Sequence, residues 1–167
     1  MSSVRSRTVA WDDPATGPSL APTLTGLEFM RGFIEGTIPM LPMGRLMNMD
    51  IRSVDTGTVV FTATPDESHY NPLGIVHGGF ACTILDTVLG CAAHTTLPLG
   101  FGYTSLELKV SYLRPLTRDS GEVTATGRVV KPGRRVAFSE GELVDAAGNV
   151  IATATSTLLV FPLASGG

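Results

Sequence analysis

Apolar and polar positions change rhythm several times along the chain. In LTGLEFMRGFIEGTI, residues 24–38, Leu27, Met30, Phe33, Ile34 and Ile38 recur at three- and four-residue spacings. This predicts a short amphipathic helix, ended by Pro39 and Pro42. Two strand-like runs follow over 45–54 and 58–64, parted by Asp55-Thr56-Gly57, a hairpin signal. Residues 66–77, DESHYNPLGIVH, read as loop, because Pro72 and Gly74 forbid a regular pattern there. From Gly78 to about Thr95 small and apolar residues dominate, with Ala81, Ile84, Leu85, Val88, Leu89 and Ala92 at three- and four-residue steps. That is the signature of a largely buried helix, and it is the one long helix predicted. In YTSLELKVSYL, residues 103–113, alternation puts Leu106, Leu108, Val110 and Tyr112 inward and Ser105, Glu107, Lys109 and Ser111 outward. Pro115 to Gly121 connects to three further strands over 122–131, 135–144 and 150–161, dense in Val and Thr. Their turns are Lys131-Pro132-Gly133-Arg134 and Asp145-Ala146-Ala147-Gly148-Asn149.

The order is helix, two strands, one buried helix, four strands. It predicts an α+β fold: an antiparallel sheet with a helix packed on one face. Residues 1–26 are half Pro, Gly, Ser and Thr and read as a flexible N-terminal arm, with the sole tryptophan, Trp11, within it. The expected organisation is this arm, one domain over 27–162, and a C-terminal tail over 163–167.

Composition narrows the function classes. A chain of 167 residues that is 43% hydrophobic can bury a real core as one domain. The formal charge of −3 gives no basic excess for nucleic acid. Only 16% of residues are charged, which points to apolar surface hidden against another subunit. The opening residues carry no apolar h-region, and no stretch reaches the length of a membrane span, so a soluble cytoplasmic protein with no membrane partner is expected. Cys82 and Cys91, nine apart, fit neither a disulfide framework nor a zinc pattern. His69, His77 and His94 show no ligand spacing, so no metal site is expected.

Two features carry chemistry. The first is Asn71-Pro72-Leu73-Gly74-Ile75-Val76-His77-Gly78-Gly79, leading straight into the buried helix. Helix N-termini present unpaired N–H groups and partial positive charge. Gly78 and Gly79 would let a carbonyl oxygen approach those groups, forming an oxyanion site; equally, they permit a tight turn and close packing. The second is Asp86, inside the most apolar helix of the chain. A carboxylate there either is functional, as a general base, or lies on an exposed stripe or bonds the backbone of a neighbouring strand. Eight residues separate Gly78 from Asp86, about 12 Å of helix. Both cannot touch one carbonyl from one chain, so a catalytic reading requires a dimer with shared sites.

A helix led by N-P-x-G-x-V-H-G-G, with an acid nine residues after the His and four strands behind it, resembles the hotdog fold, in which a sheet wraps one long central helix. Within it the chain resembles the PaaI-like branch of acyl-CoA thioesterases, through NPLGIVHGGFACTILDTVLG, TSLELKVSYLRP, KPGRRVAF and DAAGNVIATATSTLLVF, roughly over 40–162. The resemblance implies a catalytic carboxylate at Asp86, a carbonyl-polarising N–H at Gly78, and an assisting amide at Asn71. It further implies loop support from His77 and an assisting hydroxyl at Ser105. The family's helper Thr one turn after the acid is Gly90 here, which favours the Asp subgroup. The substrate implied is a medium-sized or aromatic acyl-CoA, with no cofactor beyond the coenzyme A of the substrate. Gly79 is expected to border the substrate. Arg128, Lys131, Arg134 and Arg135, crowded around one turn, are expected phosphate contacts or simply a solvated turn. Arg114 and Arg118 are weaker candidates. Phe80, Leu73, Tyr103 and the loop 97–102 are expected to line the acyl pocket, with Met40, Met43, Met47 and Met49 nearby. The expected assembly is a homodimer, paired again into a homotetramer. Two other readings remain: a non-catalytic acyl-CoA-binding hotdog, and a hydratase or dehydratase, against which His77 is followed by Gly-Gly rather than Phe and Pro.

Overall fold

The computed structural model describes residues 3–163; most of the tail expected over 163–167 lies outside them. Helices are α1 (Thr16–Leu20), α2 (Gly26–Glu35), α3 (Pro42–Leu46) and α4 (Gly78–His94). Strands are β1 (Met49–Asp55), β2 (Thr58–Ala63), β3 (Phe101–Tyr112), β4 (Val123–Lys131), β5 (Val136–Val144) and β6 (Val150–Pro162). All six strands form one antiparallel sheet in the order β1-β2-β4-β5-β6-β3. The α+β class and the sheet around one long helix are as the sequence implies.

α4 lies along β4, with β2, β3, β5 and β6 around it. Its Ile84, Leu85, Val88 and Leu89 are fully buried against Val59, Val123 and Leu143 of the sheet. Each such side chain contributes about 1.5–3 kcal/mol through burial. The close approach of helix and sheet rests on two glycines directly opposite each other, Gly127 on β4 and Gly141 on β5. A Cβ at 127 would stand 2.3 Å from the Val88 carbonyl oxygen, and one at 141 would stand 3.2 Å from the Leu89 side chain.

Four expectations need correction. α2 starts at Gly26, because Thr25 and Glu28 form a capping box, with Glu28 Oε2 accepting from the Thr25 N–H at 2.8 Å. It stops at Gly36, in the left-handed conformation (φ 72), before the prolines are reached. Pro42 does not end a helix but opens α3 at its first turn, so β1 begins at Met49 rather than 45. On β3, Leu106 is 57% exposed and Tyr112 55% exposed. β3 pairs on one side only, and a bulge between Ser105 and Glu107 turns Leu106 outward and brings Ser105, expected outward, to Asp86 on α4. Tyr112 keeps the inward face of Leu108 and Val110 but lies at the end of the strand, over the first turn of α4. The N-terminal segment also has more structure than an arm implies. It carries α1 and a 3-10 turn over Ala21–Thr23, and Arg7 reaches Asp66 Oδ2 at 2.9 Å and Ser68 Oγ at 3.1 Å.

Candidate active site

The loop before α4 holds itself in shape. Asn71 donates its backbone N–H to the Ile75 carbonyl at 2.8 Å, and its Oδ1 accepts from the Leu73 N–H at 2.9 Å. That leaves the amide nitrogen of Asn71 with no acceptor among the described residues. His77 caps α4: its Nδ1 accepts the Gly79 N–H at 2.9 Å, and its carbonyl accepts the Phe80 N–H at the same distance. With Nδ1 accepting, the proton of the neutral ring sits on Nε2. The cap uses the Gly79 N–H that the sequence offered to substrate. The Gly78 N–H has no acceptor among the described residues, at the positive end of a 17-residue helix. Asn71, His77 and Gly78 share a cavity of about 390 Å³ with Tyr112 and Arg114. Tyr112 donates its hydroxyl to the Gly78 carbonyl at 3.1 Å, and Arg114 donates to the Val150 carbonyl at 2.7 Å. The alternation set Tyr112 inward, and it does face α4, though at the exposed first turn of the helix rather than in the core.

Asp86 is half-buried on the same helix, two turns on, and does not line that cavity. Ser105 Oγ donates to Asp86 Oδ1 at 2.8 Å. The carboxylate therefore bonds a side chain of the neighbouring strand. Thr83 and Thr87 donate their hydroxyls to helix carbonyls one turn back, at 2.9 and 2.8 Å, so neither turns toward Asp86. The candidate residues thus fall into two separate groups, Gly78 with Asn71 and Asp86 with Ser105, held apart along α4.

At Gly90, one turn beyond Asp86, the ring of Tyr103 fills the space a side chain would need: a Cβ there would stand 2.5 Å from the Tyr103 hydroxyl. Burial pushes the Tyr103 hydroxyl pKa up, and it pushes that of the neighbouring Cys91 thiol up to about 12, so neither ionises. His94 ends the helix between the rings of Phe29 and Tyr103, and burial lowers its pKa to about 4.

The basic residues do not converge. Arg128 lines a groove of about 400 Å³ with Lys109, Glu140 and Glu142 on the sheet face away from α4. Arg134 and Arg135 line a second groove, of about 750 Å³, beside Thr96, Pro98 and Phe101. Lys131 lines neither. Arg118 lies with Arg5 and Arg7. Phe80, expected at the acyl pocket, is buried in the core with its ring 4.7 Å from that of His69, while Leu73 is 86% exposed. Met49 is core, and Met43 is exposed. Among the described residues no group of His, Cys, Asp and Glu is arranged to hold a metal ion, and no helix is long and apolar enough to cross a membrane.

The thioesterase superfamily model matches residues 73–152, a stretch that includes Gly78, Asp86 and Ser105 and begins two residues after Asn71. A solved phenylacetic acid degradation-related protein from Ralstonia eutropha is 30% identical, covering 77% of this chain and 97% of that one with a TM-score of 0.71. The chain belongs to the thioesterase superfamily. This thioesterase is also 28% identical over 106 residues to acyl-coenzyme A thioesterase 13 of Homo sapiens, which spans 63% of this chain and 74% of the human one. It is 26% identical to smu.793 of Streptococcus mutans, a structure bound to acetyl CoA, with a TM-score of 0.64 over 71% of this chain and 92% of that one. Its chemistry is hydrolytic.

Proposed function

We propose that this thioesterase hydrolyses medium-sized or aromatic acyl-CoA thioesters to the free acid and coenzyme A, at sites shared between two copies of the chain. The observation that carries the proposal is the pairing of Ser105 with Asp86, two helical turns from an unpaired Gly78 N–H. On this reading Asp86 is the activating acid and the Gly78 N–H the oxyanion donor, about 12 Å apart along the axis. Two antiparallel copies would bring Gly78 and Asn71 of one to Asp86 of the other. The unpaired edge of β3 and its exposed Leu106 and Tyr112 support such a contact. A further pairing into tetramers is part of the same reading.

A thioester is activated already and calls for no metal or serine triad. Asp86 accepts a proton from water as the water oxygen bonds the carbonyl carbon. Charge on the carbonyl oxygen is met by the partner's Gly78 N–H and Asn71 amide. Collapse breaks the C–S bond, and the leaving thiolate takes up a proton. In the covalent variant Asp86 attacks the carbon, the thiolate leaves, and water then hydrolyses the mixed anhydride. Arg134 and Arg135, in their groove, are the proposed contacts for the coenzyme's phosphates. The named activity of the human relative and the acetyl CoA on the streptococcal one support this substrate class.

Free-thiol release from short, medium, long and aryl-acetyl CoA esters tests the proposal in the wild type and in Asp86→Asn. The expected result is release that falls about a thousandfold or more in the variant. Undiminished release would make Asp86 structural. Binding without release in the wild type would make the protein a carrier of acyl-CoA.

A further inference from the structure

The loop over 66–77 folds back on itself. Tyr70 bridges to Val76, and the His77 N–H donates to the His69 carbonyl at 2.8 Å, so 69–70 lie against 76–77 with Asn71 at the start of the tip. The second limb runs directly into α4 and is tied down by the Val76 N–H on the Leu116 carbonyl at 2.8 Å. The first limb is held by side chains, and Asp66 collects them. Its Oδ2 accepts from Arg7 Nη1 at 2.9 Å and from Asn48 Nδ2 at 3.1 Å, and its Oδ1 accepts from the Ser68 N–H at 2.7 Å. Arg7 also donates to Ser68 Oγ at 3.1 Å and, through Nη2, to the Leu46 carbonyl at the end of α3. One guanidinium thus joins the N-terminal segment, α3 and the loop, and its side chain is only 29% exposed. Asn48 is the one described non-glycine residue with a left-handed φ (50), a conformation Asn tolerates, and its amide bonds both Asp66 and the Thr64 carbonyl. Burial alone would raise the Asp66 pKa. The hydrogen bonds from Ser68 and Arg7 outweigh it and hold the carboxyl well below the usual carboxylate range, so the group stays charged. His69 carries the connection inward: its buried ring accepts the Asp66 N–H on Nδ1 at 2.9 Å and lies 4.7 Å from the Phe80 ring of α4.

We propose that Arg7, from the N-terminal segment, is a positioning residue for the thioesterase reaction: through Asp66 it holds the first limb of the loop, and through the His69–His77 bond it sets where Asn71 and the Gly78 N–H stand. The inference rests on the acyl-CoA reading above, which gives those two groups to the carbonyl oxygen. Arg7 does not line the cavity that Asn71 and Gly78 share, so it acts through the loop. The path is short. It runs from Arg7 to Asp66, along the 3-10 turn Glu67–His69, across one backbone hydrogen bond to His77, and so to the next residue, Gly78. Oxyanion donors must be placed to within a few tenths of an ångström, and a 1 Å error costs on the order of a hundredfold in rate. Arg5 provides a comparison within the same segment. It pairs with Glu67, but the two side chains are 70% and 44% exposed, and such a solvated pair fixes little.

The test uses the full chain and two readouts: kcat and KM for thiol release from the acyl-CoA ester the wild type cleaves best, and backbone amide exchange followed by mass spectrometry. Arg7→Ala should lower kcat about tenfold or more and leave KM within about twofold. It should also speed exchange over 66–79 while leaving β4, β5 and β6 unchanged. Arg7→Lys keeps the charge but not the fork that spans Asp66, Ser68 and Leu46, and should recover part of kcat. Arg7→Ala combined with Asp66→Ala should cost no more than the worse of the two alone. Arg5→Ala should match wild type in both readouts. Wild-type kcat in Arg7→Ala overturns the inference. So does a rise in KM alone, which would place Arg7 on the substrate, and so does a fall in kcat with exchange unchanged. Absence of hydrolysis of every ester by the wild type overturns the acyl-CoA reading instead, and the inference with it. Should Arg7→Ala fail to fold, Arg7→Gln and Arg7→Lys make the same comparison.

Discussion

Removing the Ser105 hydroxyl isolates one bond at the proposed reaction centre. Ser105 Oγ donates to Asp86 Oδ1 at 2.8 Å, a hydrogen bond to a charged acceptor. Such bonds contribute about 1.5–3 kcal/mol, and an exposed donor places this one near the lower bound. At about 1.4 kcal/mol per factor of ten, Ser105→Ala should lower kcat about tenfold. KM should change little, because the hydroxyl touches the acid and not the coenzyme. Steady-state thiol release measures both constants. Ser105→Thr keeps a hydroxyl at the same strand position and should recover most of kcat. In an Asp86→Asn background, Ser105→Ala should cost almost nothing further, because the bond it removes no longer serves a carboxylate. The melting temperature should stay near wild type, as for most surface substitutions. Wild-type kcat in Ser105→Ala, or an equal tenfold loss in the Asp86→Asn background, would refute the assignment of Ser105 to Asp86.

Two further outcomes concern the scaffold. Gly127→Ala sets a Cβ 2.3 Å from the Val88 carbonyl oxygen, a backbone atom that cannot rotate away. Overpacking of this kind should cost about 3 kcal/mol and lower the melting temperature by about 6–12 °C, and a fall below about 2 °C in a thermal scan would contradict the packing described. His94 has its pKa lowered by burial to about 4, whereas the unfolded chain takes up that proton near pH 6.5. The unfolded state then binds more protons throughout that window, so stability present above pH 6.5 is lost as pH falls toward 4, by about 3 kcal/mol at most. Denaturant unfolding of His94→Phe should show a flatter dependence than wild type between those values, and parallel curves would contradict it.

α4 is legible in the sequence because Ile84, Leu85, Val88 and Leu89 recur at helical spacing among small residues. The strands after it are legible because Val and Thr recur between strong turn signals. The separation of Gly78 from Asp86 follows from helix rise alone, and so the second copy that a catalytic reading requires could be argued before any coordinates. β3 misled the alternation because a bulge at Leu106 shifts its register, which no count of apolar positions reveals. The end of α2 misled it because Gly36 supplied the left-handed residue before the prolines were reached. The Gly90–Tyr103 contact lies beyond local pattern altogether. A missing side chain in the sequence became informative only when a strand 13 residues away was found occupying its space. The scatter of Arg128 and Arg134 has the same origin: adjacency around a turn does not choose the sheet face.

The strand order has a consequence for how the chain is made. β6 sits between β5 and β3, yet it is synthesised after both. When β3 leaves the ribosome its only partner in the sheet does not yet exist. Ser105 and Tyr103 must wait beside an apolar helix while β4 and β5 are translated. Until then the nascent chain presents α4 with one wall missing, the kind of intermediate that chaperones engage. Closure of the sheet and formation of the Ser105–Asp86 bond are therefore one late, non-local event, and substitutions in β6 should govern how much active protein a cell accumulates.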